Sequence, residues 1–214
     1  MPRILIFANG DLPDLEKARS LIRDDDLIMA ADGGTRHVLA LGLTPRIVIG
    51  DLDSLPPADL QMLAEKGVEV MQFARDKDET DLELAINHAQ TLNPSQVIIL
   101  AALGGRVDQT LGNFSLLTDQ RLTEYDVRID DGVEEAFFCR DQASVKGRGG
   151  DLVSLIPWGG STSGVVTKNL KWPLSGETLY ADRTRGISNE MTDEEATIEI
   201  GSGLLLIVHR RTCA

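Results

Sequence analysis

Residues 46–54 read RIVIGDLDS, and this stretch decides the fold predicted for the first half of the chain. It is an apolar run that ends in a glycine and two nearby aspartates, Asp51 and Asp53. Apolar runs followed by polar turns recur at residues 4–10, 27–34 and 97–106, with helical spacing between the runs. Continuously apolar strands that alternate with helices are typical of a parallel sheet covered on both faces. We therefore expect residues 1–125 to form a Rossmann-like α/β domain with a parallel sheet.

The pattern changes after about residue 125. Short alternating or β-branched runs at 136–139, 152–157, 164–167, 197–200 and 204–210 are separated by clusters of Gly, Ser and Asp. This spacing, with hardly any helical period, is typical of a small antiparallel sandwich or barrel. Residues 126–214 are therefore predicted to be a second, smaller β domain.

Composition narrows the class of protein. The 214 residues carry a formal net charge of -13, which disfavours nucleic acid and anionic membrane surfaces as partners. No apolar run approaches the roughly 18 residues of a membrane helix, and the N-terminal run is too short for a signal peptide. The two cysteines, Cys139 and Cys213, are too far apart for a CxxC metal or redox motif. We expect a reduced, cytoplasmic protein.

Four polar loops follow the predicted strands, and each contains at least one aspartate. They are Ala31-Asp32-Gly33-Gly34, Gly50-Asp51-Leu52-Asp53-Ser54, Asp76-Lys77-Asp78-Glu79-Thr80-Asp81 and Gly104-Gly105-Arg106-Val107-Asp108-Gln109. Ligands of open α/β sheets bind beyond the carboxyl ends of the strands, so these carboxylates are expected to converge. Converging carboxylates repel unless they are protonated or bind a cation. Mg²⁺ fits this donor set and usually brings substrate phosphates, to which Arg106 can donate hydrogen bonds.

Each loop also has a purely structural explanation. Asp51 and Asp53 could be turn residues before Pro56, residues 80–83 fit a helix capping box, and the glycine pairs could be tight turns. Four such loops in register with four strand ends favour a binding site. The chain lacks GxxxxGK[ST], has no GxGxxG after its first strand, and does not fit an EF-hand starting at residue 76. The three histidines are isolated and have no Ser or Cys pairing, so covalent catalysis is not expected.

Six motifs in order resemble the thiamine pyrophosphokinase family over nearly the whole chain. They are residues 31–34, 50–54, 78–81 and 104–108 in the first half, and Lys171-Trp172-Pro173-Leu174 and Ser188-Asn189-Glu190 in the second. The resemblance implies an N-terminal α/β domain and a C-terminal antiparallel β-sandwich. It implies an enzyme that uses Mg²⁺ to transfer the pyrophosphoryl group of ATP to the hydroxyethyl group of thiamine, giving thiamine diphosphate and AMP. It also implies a homodimer with active sites at the subunit interface.

The resemblance assigns roles to the residues that match the motifs. Asp51, Asp53 and Asp81 would hold Mg²⁺ and the ATP phosphates. Asp32 and Asp108 would line the same acidic site, and Asp81 or Asp108 would orient or deprotonate the attacking hydroxyl. Nucleotide contacts are implied for Gly33, Thr80, Arg106 and Gln109, the last standing where many relatives have histidine. Trp172 would stack on the thiamine rings, and Ser188 and Asn189 would hydrogen-bond the aminopyrimidine.

Two other functions compete with this one. The first is pyrophosphoryl transfer to another alcohol, such as a hydroxymethyl pterin, for which Trp172 and the Ser188-Asn189 pair are not needed. The second is a non-catalytic thiamine or nucleotide sensor, which need not keep all of Asp51, Asp53 and Asp81. The cationic thiazolium of thiamine suits both an acidic cleft and an aromatic face. Trp172 could instead be a core residue of the sandwich.

Overall fold

The computed structural model describes residues 1–212. These residues form two compact units, the first covering residues 1–132 and the second beginning at residue 133. Cys213 lies outside the described residues. The division falls seven residues after the boundary expected at 125/126. The reason is a strand at Asp126–Asp130, which pairs in parallel with the strand at Gln96–Leu100 and so belongs to the first sheet.

The first unit contains one parallel sheet. Its strands are β1 (Arg3–Phe7), β2 (Leu27–Ala31), β3 (Ile47–Gly50), β4 (Glu69–Gln72), β5 (Gln96–Leu100) and β6 (Asp126–Asp130). They lie in the order β6-β5-β1-β2-β3-β4, and every pairing is parallel. This arrangement confirms the predicted α/β class. The order reverses between β1 and β5, and such a switch point is where open α/β sheets bind ligands.

Helices cover this sheet. They are α1 (Leu15–Ser20), α2 (Thr35–Ala40), α3 (Pro57–Glu65), α4 (Asp81–Thr91) and α5 (Val107–Leu116), with 3₁₀ turns at Asp32–Gly34 and Gln120–Leu122. In β1, β2 and β5 the last four residues are buried, and all four of β3 are buried, because both faces are covered. The edge strand β4 is polar and mostly exposed. No helix within residues 1–212 is long and apolar enough to cross a membrane.

The second unit contains two antiparallel sheets. Its strands are β7 (Glu134–Cys139), β8 (Gln142–Lys146), β9 (Leu152–Pro157), β10 (Thr162–Lys168), β11 (Ser175–Leu179), β12 (Asn189–Glu190), β13 (Glu195–Glu199) and β14 (Leu205–Arg210). One sheet has the order β12-β9-β14-β7 and the other β11-β10-β13-β8.

The two sheets of this unit share one apolar core. Phe137, Leu155 and Ile207 enter it from the first sheet, and Val145 and Ile198 enter it from the second. Buried and partly exposed residues alternate along β9, as expected where a strand has one face in the core of a sandwich. The predicted β-sandwich is confirmed.

Candidate active site

A cavity of about 710 Å³ opens at the carboxyl ends of β1, β2, β3 and β5 in the first unit. Its lining includes six of the residues assigned from the sequence, namely Asp32, Asp51, Thr80, Asp81, Arg106 and Gln109, whereas Gly33, Asp53 and Asp108 are not among the lining residues. The backbone turns sharply here: Asp32, Leu52 and Ala101, which follow β2, β3 and β5, all have positive φ. Non-glycine residues rarely adopt this conformation, and such strain concentrates at functional sites.

Three carboxylates meet at this edge. One oxygen from each of Asp32, Asp51 and Asp53 lies within 4.8 Å of the others. Asp32 is only 6% exposed, and its Oδ1 accepts no hydrogen bond within residues 1–212. A buried carboxylate oxygen without a donor is costly unless a cation binds it. The cluster therefore offers the carboxylate oxygens that a hard cation prefers, and one of these oxygens has no partner within the described residues.

Gly50 allows the carboxylates to approach each other. Its φ is +155°, and a Cβ at this position would lie 2.8 Å from Cβ of Asp32 and 3.2 Å from Cγ of Asp81. A side chain here would push both aspartates away, so the glycine that ends β3 is part of the site.

Asp81 begins α4 beside this cluster. Thr80 caps the helix, its Oγ1 accepting a hydrogen bond of 3.2 Å from the Glu83 amide, as the capping pattern predicted. Burial raises the pKa of Asp81; contact with Lys77 opposes this rise, and repulsion from Asp32 and Asp51 adds to it. Lys77 Nζ lies 2.9 Å from Asp81 Oδ1 as an ion pair, although that oxygen accepts no hydrogen bond of good geometry.

Arg106 and Asp108 lie at the start of α5. Arg106 donates to both carboxylate oxygens of Asp108, and this hydrogen bonding lowers the pKa of the Asp108 carboxyl. Both side chains are exposed. Arg106 and Gln109 line the cavity, whereas Asp108 is not among its lining residues. Asp108 therefore belongs neither to the cavity lining nor to the group formed by Asp32, Asp51 and Asp53.

Other lining residues were not anticipated from the sequence. Asp11 accepts a hydrogen bond of 3.1 Å from the Gly105 amide and so holds the glycine loop. Arg75 reaches Asp53 at 3.5 Å. Gly33, which was assigned from the sequence, does not line the cavity; it is buried, and a Cβ on it would strike the Asn9 side chain at about 2.5 Å. The signal for Asp11 was available, because Asn9-Gly10-Asp11 is also a polar loop after an apolar run.

In the second unit, Trp172 stands beside a pocket of about 240 Å³ that Ile187 and Asn189 also line. The indole is 55% exposed, so Trp172 is not a core residue of the sandwich. Lys171 Nζ lies 4.8 Å from the ring centroid, which shows that a cation can sit over this face.

Asn189 holds Trp172 in place. The buried amide accepts a hydrogen bond of 3.0 Å from the Trp172 amide N–H and donates one of 2.8 Å to the Trp172 carbonyl. Its Oδ1 also accepts from the Glu190 amide. Ser188 is exposed with a φ of 57°, and its amide donates to Ser154 Oγ. The side chain of Asn189 is therefore mostly engaged within the protein.

Comparison with known proteins identifies the family. Residues 18–129 match the thiamin pyrophosphokinase catalytic domain, and residues 142–205 match the thiamin pyrophosphokinase vitamin B1 binding domain. Thiamine pyrophosphokinase of Bacillus subtilis is 27% identical over 213 residues, covering 97% of this chain and 98% of that protein. Thiamine pyrophosphokinase 1 of Arabidopsis thaliana is 29% identical, covering 94% of this chain and 84% of that protein. The crystal structure of the Bacillus subtilis enzyme superposes with a TM-score of 0.88 at 25% identity, covering 99% of this chain and 100% of that one. The chain therefore belongs to the thiamine pyrophosphokinase family.

Proposed function

We propose that this enzyme carries out the reaction of its family with Mg²⁺ bound at the carboxyl edge of its parallel sheet. It transfers the pyrophosphoryl group of ATP to the hydroxyethyl oxygen of thiamine, giving thiamine diphosphate and AMP. The observation that carries the proposed site is the group of Asp32, Asp51 and Asp53, in which one buried carboxylate oxygen has no donor. Asp32 and Asp51 of this group line a cavity large enough for a nucleotide.

Asp51 and Asp53 would hold the metal, as the resemblance implies, and the geometry adds Asp32 to them. Asp81 borders this group, because a Cβ at Gly50 would lie 2.8 Å from Cβ of Asp32 and 3.2 Å from Cγ of Asp81. Bound Mg²⁺ would neutralise charge on the phosphates and hold them in place. The positioning of substrates and the neutralisation of charge account for most of the rate in phosphoryl transfers, so no covalent intermediate with the protein is needed.

Cationic side chains at the cavity would receive the polyphosphate. Arg106 and Arg75 both line it and are mostly exposed, so each can turn toward a phosphate at little cost. Gln109 and Thr80 offer neutral hydrogen bonds at the same cavity. Gly33 would act through its backbone, because its Cα packs against Asn9.

In the chemical step, the hydroxyl oxygen of thiamine attacks the β-phosphorus, and the bond from that phosphorus to the oxygen bridging to the α-phosphate breaks. AMP leaves with the bridging oxygen, and the hydroxyl proton passes to a base. Of the two candidate bases we favour Asp81, since it lines the cavity. Asp108 is exposed and already engaged by Arg106.

Thiamine would be recognised in the second unit. The exposed face of Trp172 is available for stacking on the cationic thiazolium or the pyrimidine. Ser188 would donate or accept a hydrogen bond at the pyrimidine. We assign Asn189 chiefly to holding Trp172, with its remaining amide hydrogen free for the substrate.

A homodimer with shared sites is also part of the proposal, on the strength of the family resemblance. Chains carrying Asp51→Asn and Trp172→Ala, each nearly inactive alone, should partly recover activity when subunits exchange, because one site of a mixed dimer carries neither change. Exchange without recovery would place each site within one chain. The cytoplasmic location stays a prediction.

The direct test is incubation with ATP, Mg²⁺ and thiamine, followed by ³¹P NMR of the products. AMP and thiamine diphosphate are expected, in equal amounts, and chelation of the metal should stop their formation. ADP with thiamine monophosphate would contradict attack at the β-phosphorus. Faster turnover of a hydroxymethyl pterin would favour the alternative acceptor, and binding of thiamine without turnover would favour a sensor.

A further inference from the structure

Lys77 occupies an unusual position for a lysine in a surface loop. The segment between β4 and α4 is exposed at every residue from 74 to 80 except Lys77. Its side chain is only 14% exposed, and it lines the cavity. Lysine normally buries its hydrocarbon stem and keeps its ammonium group in water. Here the ammonium itself is turned inward, which requires compensating negative charge.

That charge comes from the carboxylate cluster. Lys77 Nζ contacts Asp81 Oδ1 at 2.9 Å, and Asp51 and Asp32 add to the field at the ammonium. Contact with Asp81, and then the two further aspartates, hold the pKa of Lys77 above its ordinary value. The nearby cation Arg75 differs, because its side chain is 84% exposed and 3.5 Å from Asp53. Lys77 is thus the cation set most deeply against the cluster within the described residues.

We propose that Lys77 is the resident counter-ion of the carboxylate cluster and a positioning residue of the enzyme. Its ammonium neutralises part of the cluster while the site holds no metal, and it gives way to Mg²⁺ when the metal and nucleotide enter. The inference rests on the proposed metal site. Lys77 contacts Asp81 and lies in the field of Asp51 and Asp32, so a metal ion bound by those aspartates would repel the ammonium, and occupation by one cation weakens binding of the other.

The displaced ammonium has a second task. Lysine is a compact charge on a stem of four methylenes with freely rotating bonds, so it can leave Asp81 without movement of the backbone. The cavity that it lines is the one proposed for the ATP polyphosphate. Lys77 would then pass from a carboxylate to a phosphate oxygen, and Asp81 would be released to act at the reacting hydroxyl.

The test compares Lys77→Met with Lys66→Met. Lys66 is an exposed lysine of the same unit that contacts Thr44 Oγ1 at 3.4 Å, away from the cavity. Binding of Mn²⁺ to the protein without nucleotide is measured by calorimetry. Lys77→Met should bind Mn²⁺ about threefold to thirtyfold more tightly, since one close opposing charge is removed. Lys66→Met should match wild type, and Lys77→Arg, which keeps the charge, should stay near it.

Turnover by Lys77→Met should fall, although its affinity for the metal rises. Lys77→Met should lose roughly tenfold or more in kcat with ATP and thiamine, because a phosphate contact is lost. Tighter metal binding together with slower turnover cannot arise from local damage to the fold, which would weaken both. If the methionine variant folds poorly, Lys77→Gln provides the same comparison.

The outcomes separate this inference from the proposed function. If wild type binds Mn²⁺, Asp51→Asn abolishes that binding, and Lys77→Met leaves it unchanged or weaker, the role of Lys77 is wrong while the metal site stands. If wild type binds no Mn²⁺, or Asp51→Asn does not affect it, the metal site is wrong and the inference falls with it. Formation of AMP is measured independently of both.

Discussion

Each unit of this protein brings carboxylates together, but they differ in whether other side chains of the protein contact them as partners. In the first unit, Asp32, Asp51 and Asp53 crowd one open edge, and a buried oxygen of Asp32 lacks any donor. In the second unit, Glu135 and Asp151 are almost wholly buried on either side of His209, whose ring nitrogens lie 2.9 and 3.1 Å from their oxygens.

The difference between the two groups lies in how completely they are partnered. Asp151 also accepts hydrogen bonds from the backbone amides of Arg148 and Thr212. A buried network whose members have hydrogen-bond partners holds the structure together, here joining β7 and β14 to the residue just before β9. Carboxylates that are gathered and left undercompensated instead mark a place where an external cation belongs. Whether the carboxylates of a cluster have partners within the protein, rather than which residues form the cluster, thus indicates whether the cluster stabilises the fold or binds a ligand.

The largest effect is expected from removing the partner in the second unit. His209→Leu would leave Glu135 and Asp151 buried without the imidazole that lies between them, which should cost about 3–5 kcal/mol of unfolding free energy in urea titrations. Changing all three residues to apolar ones of similar volume should recover much of that loss. A cost below about 1 kcal/mol would remove the contrast between the two clusters.

At the carboxyl edge of the parallel sheet, loss of a carboxylate is expected to lower activity without lowering stability. Asp51→Asn should lower kcat/KM by roughly 100-fold or more, because a ligand of the proposed metal is weakened. The melting temperature without metal should stay the same or rise, since repulsion among the aspartates falls. Asp59→Asn, a partly exposed position in the first turn of α3, is the control for loss of one carboxylate outside the cavity. Near wild-type turnover in Asp51→Asn would refute the site.

The two tryptophans sharpen the same contrast. Trp158 packs edge-on against Phe138 with ring centroids 5.6 Å apart, whereas Trp172 has an exposed face. Trp172→Ala should weaken thiamine binding by about 1–3 kcal/mol, measured by calorimetry, with little change in stability. Trp158→Ala should mainly lower the melting temperature. Equal effects of both changes on stability would give Trp172 a structural role.

The smallest expected effect is a shift in acid stability. Burial alone would raise the pKa of Asp151, but hydrogen bonds from Thr212, His209 and Arg148 outweigh it and lower this pKa below the ordinary value of 3.8. A carboxyl whose pKa is lower in the folded state stabilises the fold above its unfolded pKa and loses that contribution as the pH falls through its folded pKa. Asp151→Asn should therefore flatten the pH dependence of stability below about pH 4, as followed by circular dichroism. An unchanged acid profile would contradict this assignment.

Much of the fold followed from the sequence alone. The apolar runs at residues 4–8, 27–31 and 97–103 predicted buried parallel strands because both faces of such a sheet must be covered. The alternating runs after about residue 125 predicted the sandwich for the complementary reason, that each strand there has one face in the core. The strand β6 was assigned to the wrong half, since a short run such as DVRID does not reveal which strand it pairs with.

Part of the candidate site also followed from the sequence, and part of it did not. The sequence placed Asp32, Asp51 and Asp81 at strand or helix ends, and the parallel sheet brings those ends together at one edge. Only the tertiary structure decided which side chains come close to one another. Asp32 lies with Asp51 and Asp53, Asp108 accepts a hydrogen bond from Arg106, and Lys77 forms an ion pair with Asp81. Periodicity records which face of an element is buried. It does not record the distances between side chains from separate loops, and a metal site depends on those distances.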